Sequence, residues 1–272
     1  EIFKINKDGS LILDKKGNKI LDDDTPEIAI RFNQFLNNLE LVENHLGFLV
    51  PKNEIKDNIF IPENYNPELK QKLSNLEKSG NYKLITVGEL VKKGILQIKR
   101  GNEIGSQYYG TGNVPFIRTT DIVNWEIKID PIKSVAEEIY DKYKGLQDVA
   151  ENDILFVSDG TFLIGRTAMV TKLDERCIIQ SHLRKFRLLK NGELTPYYLF
   201  YLLNSKFVQQ QIEKQTFVQA TLSTLGNRVL ELVLPISTNI NEVESISNEI
   251  KEIIETKCKL RAKSIALIEN SI

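Results

Sequence analysis

The C-terminal segment carries two interleaved seven-residue repeats. Val243, Ile250, Lys257 and Ser264 fall on one position, and Ile246, Ile253, Leu260 and Leu267 on the adjoining one. This spacing keeps a stripe on one side of an α-helix, and the polar members share one register. The repeat predicts a continuous helix from Asn241 to Asn270, roughly 45 Å long at about 1.5 Å per residue. Such a helix either packs along a partner helix or lies on its own domain. The repeat favours a helix–helix contact, self-pairing included, made by Val243, Ile246, Ile250, Ile253, Leu260 and Leu267.

The rest of the chain has an ordinary globular composition. It has 272 residues, 41% hydrophobic and 27% charged, enough for one large domain or two smaller ones. Cys177 and Cys258 are its only cysteines. They cannot make a disulfide framework, so a reducing, cytoplasmic compartment is expected. No apolar run nears the ~20 residues of a membrane-spanning helix, so no membrane partner is expected. The chain begins at Glu1 rather than Met. It reads as a piece of a longer protein, and a missing signal peptide carries no weight.

Residues 1–24, with "KDGS", "KKGN" and "LDDD", read as loops or a small hairpin. Thr25 is a candidate helix cap with Pro26 at the first helical position. Ile28, Phe32, Phe35, Leu36, Leu39 and Val42 follow at helical spacing. "LGFLVP" (46–51) and "NIFIPENY" (58–65) read as extended, and "NPELKQKLSNLEKSG" as a polar helix ending at Gly80. Beyond Asn81 the texture changes to strands at 95–101, 114–122, 153–160, 166–171, 177–189 and 229–236. Helices start at Thr195-Pro196 and at Ser205. The expected class is α+β: a twisted, mostly antiparallel sheet domain with inserted helices over 81–238, a helical N-terminal segment over 1–80, and the long helix over 239–272.

Catalytic chemistry finds little support. Two histidines, His45 and His182, cannot build a His-rich metal site, and no cysteine pair has zinc spacing. No phosphate-binding GK[ST] loop occurs, and "GTG" at 110–112 leads into a strand rather than a helix. Asp121 with Glu126 and Lys128 matches a metal-dependent nuclease pattern. However, Glu-x-Lys recurs at Glu54, Glu68, Glu249 and Glu255, so the match carries almost no information. Ser158 in "FVSDGT" has no local base to activate it.

Several stretches instead have the mix that DNA contacts need: Arg or Lys for phosphates and guanine edges, polar side chains for adenine edges and backbone, and small residues for close approach. The net charge is −1, but Lys92–Arg118 and Arg166–Lys190 are locally basic. "KRGNEIGSQYYGTG" offers Lys99, Arg100 and Tyr108, and "NVPFIRTTDI" offers Arg118 and Thr119. "SDGTFLIGR" offers Ser158, Thr161 and Arg166, "QSHLRK" offers His182 and Arg184, and "QTFVQATLSTLGNR" offers Gln219 and Thr221. Arg118 could equally be held at a strand end by Asp121. Taken singly, each stretch reads as readily as an ordinary solvated loop.

Taken in order, "VPFIRTTDI", "DILFVSDGTFLIGRTAMV", "IIQSHLRKFRL", "TPYYLFYLLNSKFVQQQI" and "QATLSTLGNRVLELVLPI" resemble the target-recognition domain of type I restriction–modification specificity subunits. The resemblance covers about residues 82–272. "DGSLILDKKGNKILDDDTPEIAIRF" is similar to the segment that follows the catalytic core of N6-adenine DNA methylases. Together they imply the C-terminal part of a fused methylase–specificity protein. The implied function is sequence-specific recognition of double-stranded DNA for an adenine methylase or restriction–modification enzyme. The methylase catalytic motif, Asp or Asn followed by Pro-Pro and Tyr or Phe, is absent because none of the eight prolines are adjacent. The resemblance therefore implies no cofactor in this chain, S-adenosylmethionine on an associated methylase domain or subunit, and a restriction subunit as a further partner. Two rival readings remain open: these residues complete a methyltransferase or nuclease site, or the C-terminal helix is mainly an assembly module.

Overall fold

A computed structural model of the chain describes residues 2–6, 9–41, 46–55, 60, 62–160, 163–190, 192, 194–219 and 222–269. Contacts divide the chain into two units, Glu1–Leu73 and Ser74–Ile272. Among the described residues, no helix is long and apolar enough to cross a membrane.

In the first unit, antiparallel bridges join Phe3 to Leu21, Ile5 to Leu11 and Leu13 to Lys19. The chain reverses at Gly9 and Gly17, both at positive φ. Helix α1 (Thr25–Leu36) follows. Asp24, not Thr25, occupies its cap position and makes no side-chain cap bond, while the Thr25 N–H is taken by the Asp23 carboxylate at 2.9 Å. The helix stops at Leu36, and Asn38 turns the chain at φ +51. Leu39 therefore falls beyond the helix, and Val42 lies outside the described residues. Within 58–65, expected to be extended, Pro62–Tyr65 winds into a 3-10 turn, and a second 3-10 turn, Lys52–Glu54, follows the other such segment, 46–51, which holds no helix. Helix α2 (Pro67–Ser79) contains the division between the two units and ends at Gly80, whose φ of +67 suits glycine.

The larger unit runs in order through β1 (Tyr82–Thr86), α3 (Val87–Lys92), β2 (Leu96–Arg100), β3 (Phe116–Ile117), β4 (Ile122–Val123), β5 (Glu126–Ile127), α4 (Glu137–Gln147), β6 (Ile154–Val157), β7 (Asp159–Gly160) and β8 (Thr167–Met169). It continues through β9 (Ile178–Ile179), β10 (Leu183–Leu188), α5 (Pro196–Asn204), α6 (Lys206–Gln215), β11 (Phe217–Gln219), β12 (Leu222–Thr224), β13 (Val233–Ser237) and α7 (Ile240–Glu269). This is an α+β domain in which most strand pairs are antiparallel. β3 and β9 pair in parallel.

Its centre is a four-stranded antiparallel sheet ordered β2–β10–β6–β8. Side chains alternate between its faces with period two. One face carries Leu96, Ile154, Phe156, Met169 and Phe186, which join the apolar residues of α3, α5, α6 and β13. The Phe156 and Phe186 rings stack at 5.4 Å. The other face carries Leu155, Val157, Ala168 and Leu183, packed on Ile117, Ile122, Ile127 and Ile179. At this coarse level the expected strands form, but several are shorter than their apolar runs. The Asp121 carboxylate accepts from the Arg118 N–H at 2.8 Å and winds Thr119–Asp121 into a 3-10 turn, cutting 114–122 short. Gly226–Glu231 is likewise a 3-10 turn ahead of β13.

Helix α7 forms as a continuous helix and lies against its own domain. Val243, Ile250 and Ile254 are buried in the core shared with α5, and Ile246 packs against that core. Ser247 bonds Thr195 across the seam at 2.7 Å. Val243, Ile246 and Ile250 therefore face the chain's own core rather than a separate helix. Ile254 takes the inward place expected of Ile253, because a straight helix turns every ~3.6 residues and its buried stripe alternates three and four. The β4–β5 hairpin clamps the helix further along. Asn124 and Trp125 both have positive φ, as a two-residue type I′ turn requires. Trp125 packs edge-on against Phe200 at 5.3 Å, which offsets that backbone strain. Beyond the turn, Glu126 pairs with Lys257 at 2.9 Å and the Ile127 carbonyl accepts from Arg261, which also pairs with buried Asp174.

One polar cluster sits inside the sheet domain. The Lys185 side chain is 0% exposed, with its ammonium 3.3 Å from Asp153. Arg187 donates to both oxygens of Asp153, at 2.6 and 2.7 Å. Lys185 and Arg187 also donate to the carbonyl of Asp148, the left-handed residue that ends α4. Two cations thus meet the negative end of a helix dipole. Burial pushes the Lys185 ammonium below its ordinary pKa, and Asp153 counters that shift. Asp153→Ala strands a buried cation, and urea denaturation is expected to show a loss of about 3–5 kcal/mol. Lys185→Met leaves Asp153 bonded to Arg187 and is expected to cost about half of that or less.

Candidate nucleic-acid interface

Antiparallel pairing brings the C-terminal ends of β2 and β6 to the same end of the central sheet as the N-terminal ends of β8 and β10. Arg100, Ser158, Arg166, His182 and Arg184 share that end. Arg100 and Arg184 are register partners and so stand on the same face. Two guanidinium groups so placed repel each other unless an anion lies nearby. Asp159, in β7, supplies it: its carboxylate is 3.7 Å from Arg100.

The Asp159 carboxylate is held in place. Ser158 Oγ donates to Oδ2 at 2.7 Å, and Thr224 of β12 donates to Oδ1. Burial alone raises its pKa. The hydrogen bonds from Thr224 and Ser158 and the nearby charges of Arg100 and Arg184 outweigh burial and hold the carboxyl below its ordinary range. Asp159 is therefore ionised at neutral pH. Arg184 is half-buried, and desolvation lowers its pKa against the opposing pull of Asp159. From so high a starting value it stays charged.

Arg100 is the exposed member, with 56% of its side chain accessible. Its Nε donates to the Ser181 carbonyl at 2.6 Å, and Ser181 Oγ donates to Glu103 at 2.6 Å. Behind it, the His182 carbonyl accepts from Ser158 N at 3.0 Å. His182 Nδ1 and Arg184 Nε are buried with no hydrogen-bond partner among the described residues. Two glycines make the geometry possible. A Cβ on Gly101 would lie 2.2 Å from the Gln180 carbonyl oxygen, so only glycine permits that strand crossing. Gly160 sits at φ +120 beside Thr119 and His182, a conformation that side-chain-bearing residues rarely adopt.

The other sequence candidates fall in different places. Lys99 points to the opposite face, in register with Lys185, where Asp148 feels its charge. Ser158 and Thr119 are buried, so they frame the cluster instead of facing solvent. Arg166 is exposed at the same sheet end. Tyr108 is exposed on a separate loop, whose hydrogen bonds reach Ser134 and Ala136. Gln219 lies on β11 of the small sheet β11–β12–β7. Thr161 and Thr221 lie outside the described residues. Arg118 is held by both Asp121 at 3.2 Å and Asp130 at 3.1 Å. The sequence reading missed the anchoring roles of Asp159, Ser181 and Thr224. Nothing in the spacing of "SDGT" singles out Asp159, and the Ser181 contact is made by a carbonyl, which no residue type announces. Among the described residues, no group of three or more His, Cys, Asp and Glu could hold a metal ion.

The family model for the type I restriction modification DNA specificity domain matches residues 79–269. Among solved structures, the chain is similar to the S subunit of a type I restriction-modification system from M. genitalium. Identity is 19%, with 67% of this chain and 41% of that one covered and a TM-score of 0.47. It is also similar to the HsdS subunit from Thermoanaerobacter tengcongensis, at 14% identity, 88% and 46% coverage and a TM-score of 0.40. A third similar chain comes from a type I R-M system studied for complex assembly and conformational transition, at 14% identity, 92% and 71% coverage and a TM-score of 0.39. The chain spans less than half the length of the first two structures. No curated protein sequence matches it. With the matched span covering the whole sheet domain and all of α7, the chain belongs to the type I restriction modification DNA specificity domain family.

Proposed function

We propose that the larger unit binds duplex DNA at a defined sequence and delivers it to an N6-adenine methylase. The observation that carries this is the Arg100–Arg184 cluster at one end of the sheet in a chain of this family. The cluster has two guanidinium groups around the Asp159 carboxylate, one of them exposed, and two buried nitrogens without partners among the described residues. In this reading methylation occurs elsewhere, on a domain or subunit that binds S-adenosylmethionine, and a restriction subunit can join the same assembly. A mixed-sequence duplex in fluorescence anisotropy tests it. Affinity should fall steeply with salt, with a log–log slope of about −0.9 per phosphate neutralised. A specific site should bind tighter by about 4–10 kcal/mol. Absence of binding at low salt would overturn the reading.

Arg118 has a different expected role. Its charge is already matched by Asp121 and Asp130. Arg118→Ala should cost about 1.5–3 kcal/mol of stability, the range for hydrogen bonds to charged groups. It should leave DNA affinity within about threefold of wild type, as read by urea denaturation and anisotropy together.

A second reading concerns assembly and rests on the outer side of α7. Ile253, Leu260 and Leu267 are seven apart, and Leu260 and Leu267 are 61% and 64% exposed. We propose this stripe as the surface that meets a helix of the methylase or of a second copy. Leu260→Glu with Leu267→Glu should abolish that association in sedimentation velocity and leave the melting temperature and DNA affinity unchanged.

A further inference from the structure

Resting on the DNA reading above, we propose that Arg100 reads the edge of a guanine base and does not contact a phosphate. Four observations carry it. The Arg100 Nε is fixed on the Ser181 carbonyl at 2.6 Å, so the guanidinium is oriented before any ligand arrives. Its side chain is 56% exposed, and its Nη2 stands 3.7 Å from Asp159, longer than a hydrogen bond, so a ligand can still engage the guanidinium. A fork held in this way suits the paired O6 and N7 acceptors of guanine, and it loses less freedom on binding than a free side chain.

The surroundings choose between base and phosphate. Asp159 lies 3.7 Å from Arg100, and Ser158 and Thr224 bond its two oxygens. It can neither swing away nor be neutralised by a solvent proton at working pH. Glu103 adds a second carboxylate, held on Ser181, the residue that anchors Arg100. A phosphate bound at Arg100 would bring its charge against Asp159. A guanine edge presents acceptors without net charge and meets far less repulsion. Arg118 and Lys99 differ in this respect. Arg118 is matched by two carboxylates, and Lys99 stands on the opposite face of the sheet. Arg184 sits behind Arg100 half-buried, where its charge helps to keep Asp159 ionised.

The test is selection by the full chain from a randomised duplex library, followed by sequencing, with wild type, Arg100→Ala and Arg100→Lys run in parallel. Wild type should return a motif containing a G·C pair that both variants no longer require. All other positions should be retained, because lysine keeps the charge and loses the fork. Affinity for the guanine-containing site should drop about 5- to 150-fold in both variants, with an unchanged salt slope. Two results would overturn the proposal: Arg100→Ala weakening every sequence alike with the salt slope reduced by about one, or Arg100→Lys keeping the whole motif. If wild type itself returns no motif, the DNA reading falls and this proposal with it, a result distinct from the other two.

Discussion

The register of β10 between β2 and β6 is the constraint on which the rest of this domain depends. Phe186 lies opposite Ile98 and Ile154, and Arg184 lies opposite Arg100 and Phe156. A slip by one residue would turn every side chain of β10 to the other face. Phe186 would leave its stack on Phe156, and Lys185 would leave Asp153. The same slip would separate Arg184 from Arg100. Core packing, the buried ion cluster and the basic end of the sheet are thus consequences of one pairing.

That pairing also explains how a chain with net charge −1 can present a cationic site. The charges are sorted by face and depth. Lys185, Arg187 and Asp153 pair inside the fold, with exposed Asp148 taking the outer side of Arg187, and Lys257 and Arg261 are used to fasten α7. Arg118 is consumed at its own turn. Arg100 remains outward, with Arg184 behind it and Asp159 3.7 Å away.

Much of this was legible in the residues, for identifiable reasons. The α7 repeat, the Thr195-Pro196 start of α5 and the Ser205 cap of α6 are local signals, and local signals survive into the structure. The Thr195 and Ser205 side chains accept from the backbone N–H groups of Tyr198 and Val208, as cap residues do. Helix α4 was not legible. Its residues are Glu-, Lys- and Tyr-rich with no capping side chain before them, and its apolar side packs against Phe116 and Ile178, far away in sequence. The site was legible as a set of stretches but not as a geometry. Arg100 and Ser181 are 81 residues apart, and Asp159 and Thr224 are 65 apart. Only the strand order brings them together. The fate of Arg118 was readable as one of two alternatives, and the second carboxylate, Asp130, was not.

The central claim is that DNA engages the end of the sheet formed by β2, β6, β8 and β10. Hydrogen–deuterium exchange of the full chain, with and without a bound duplex, tests it most directly. The account predicts slowed exchange at the amides of 100–102, 158–160 and 181–184, with no change at β1 and β13. Protection confined to β1, β13 or the outer side of α7, with the Arg100 end unchanged, would contradict it.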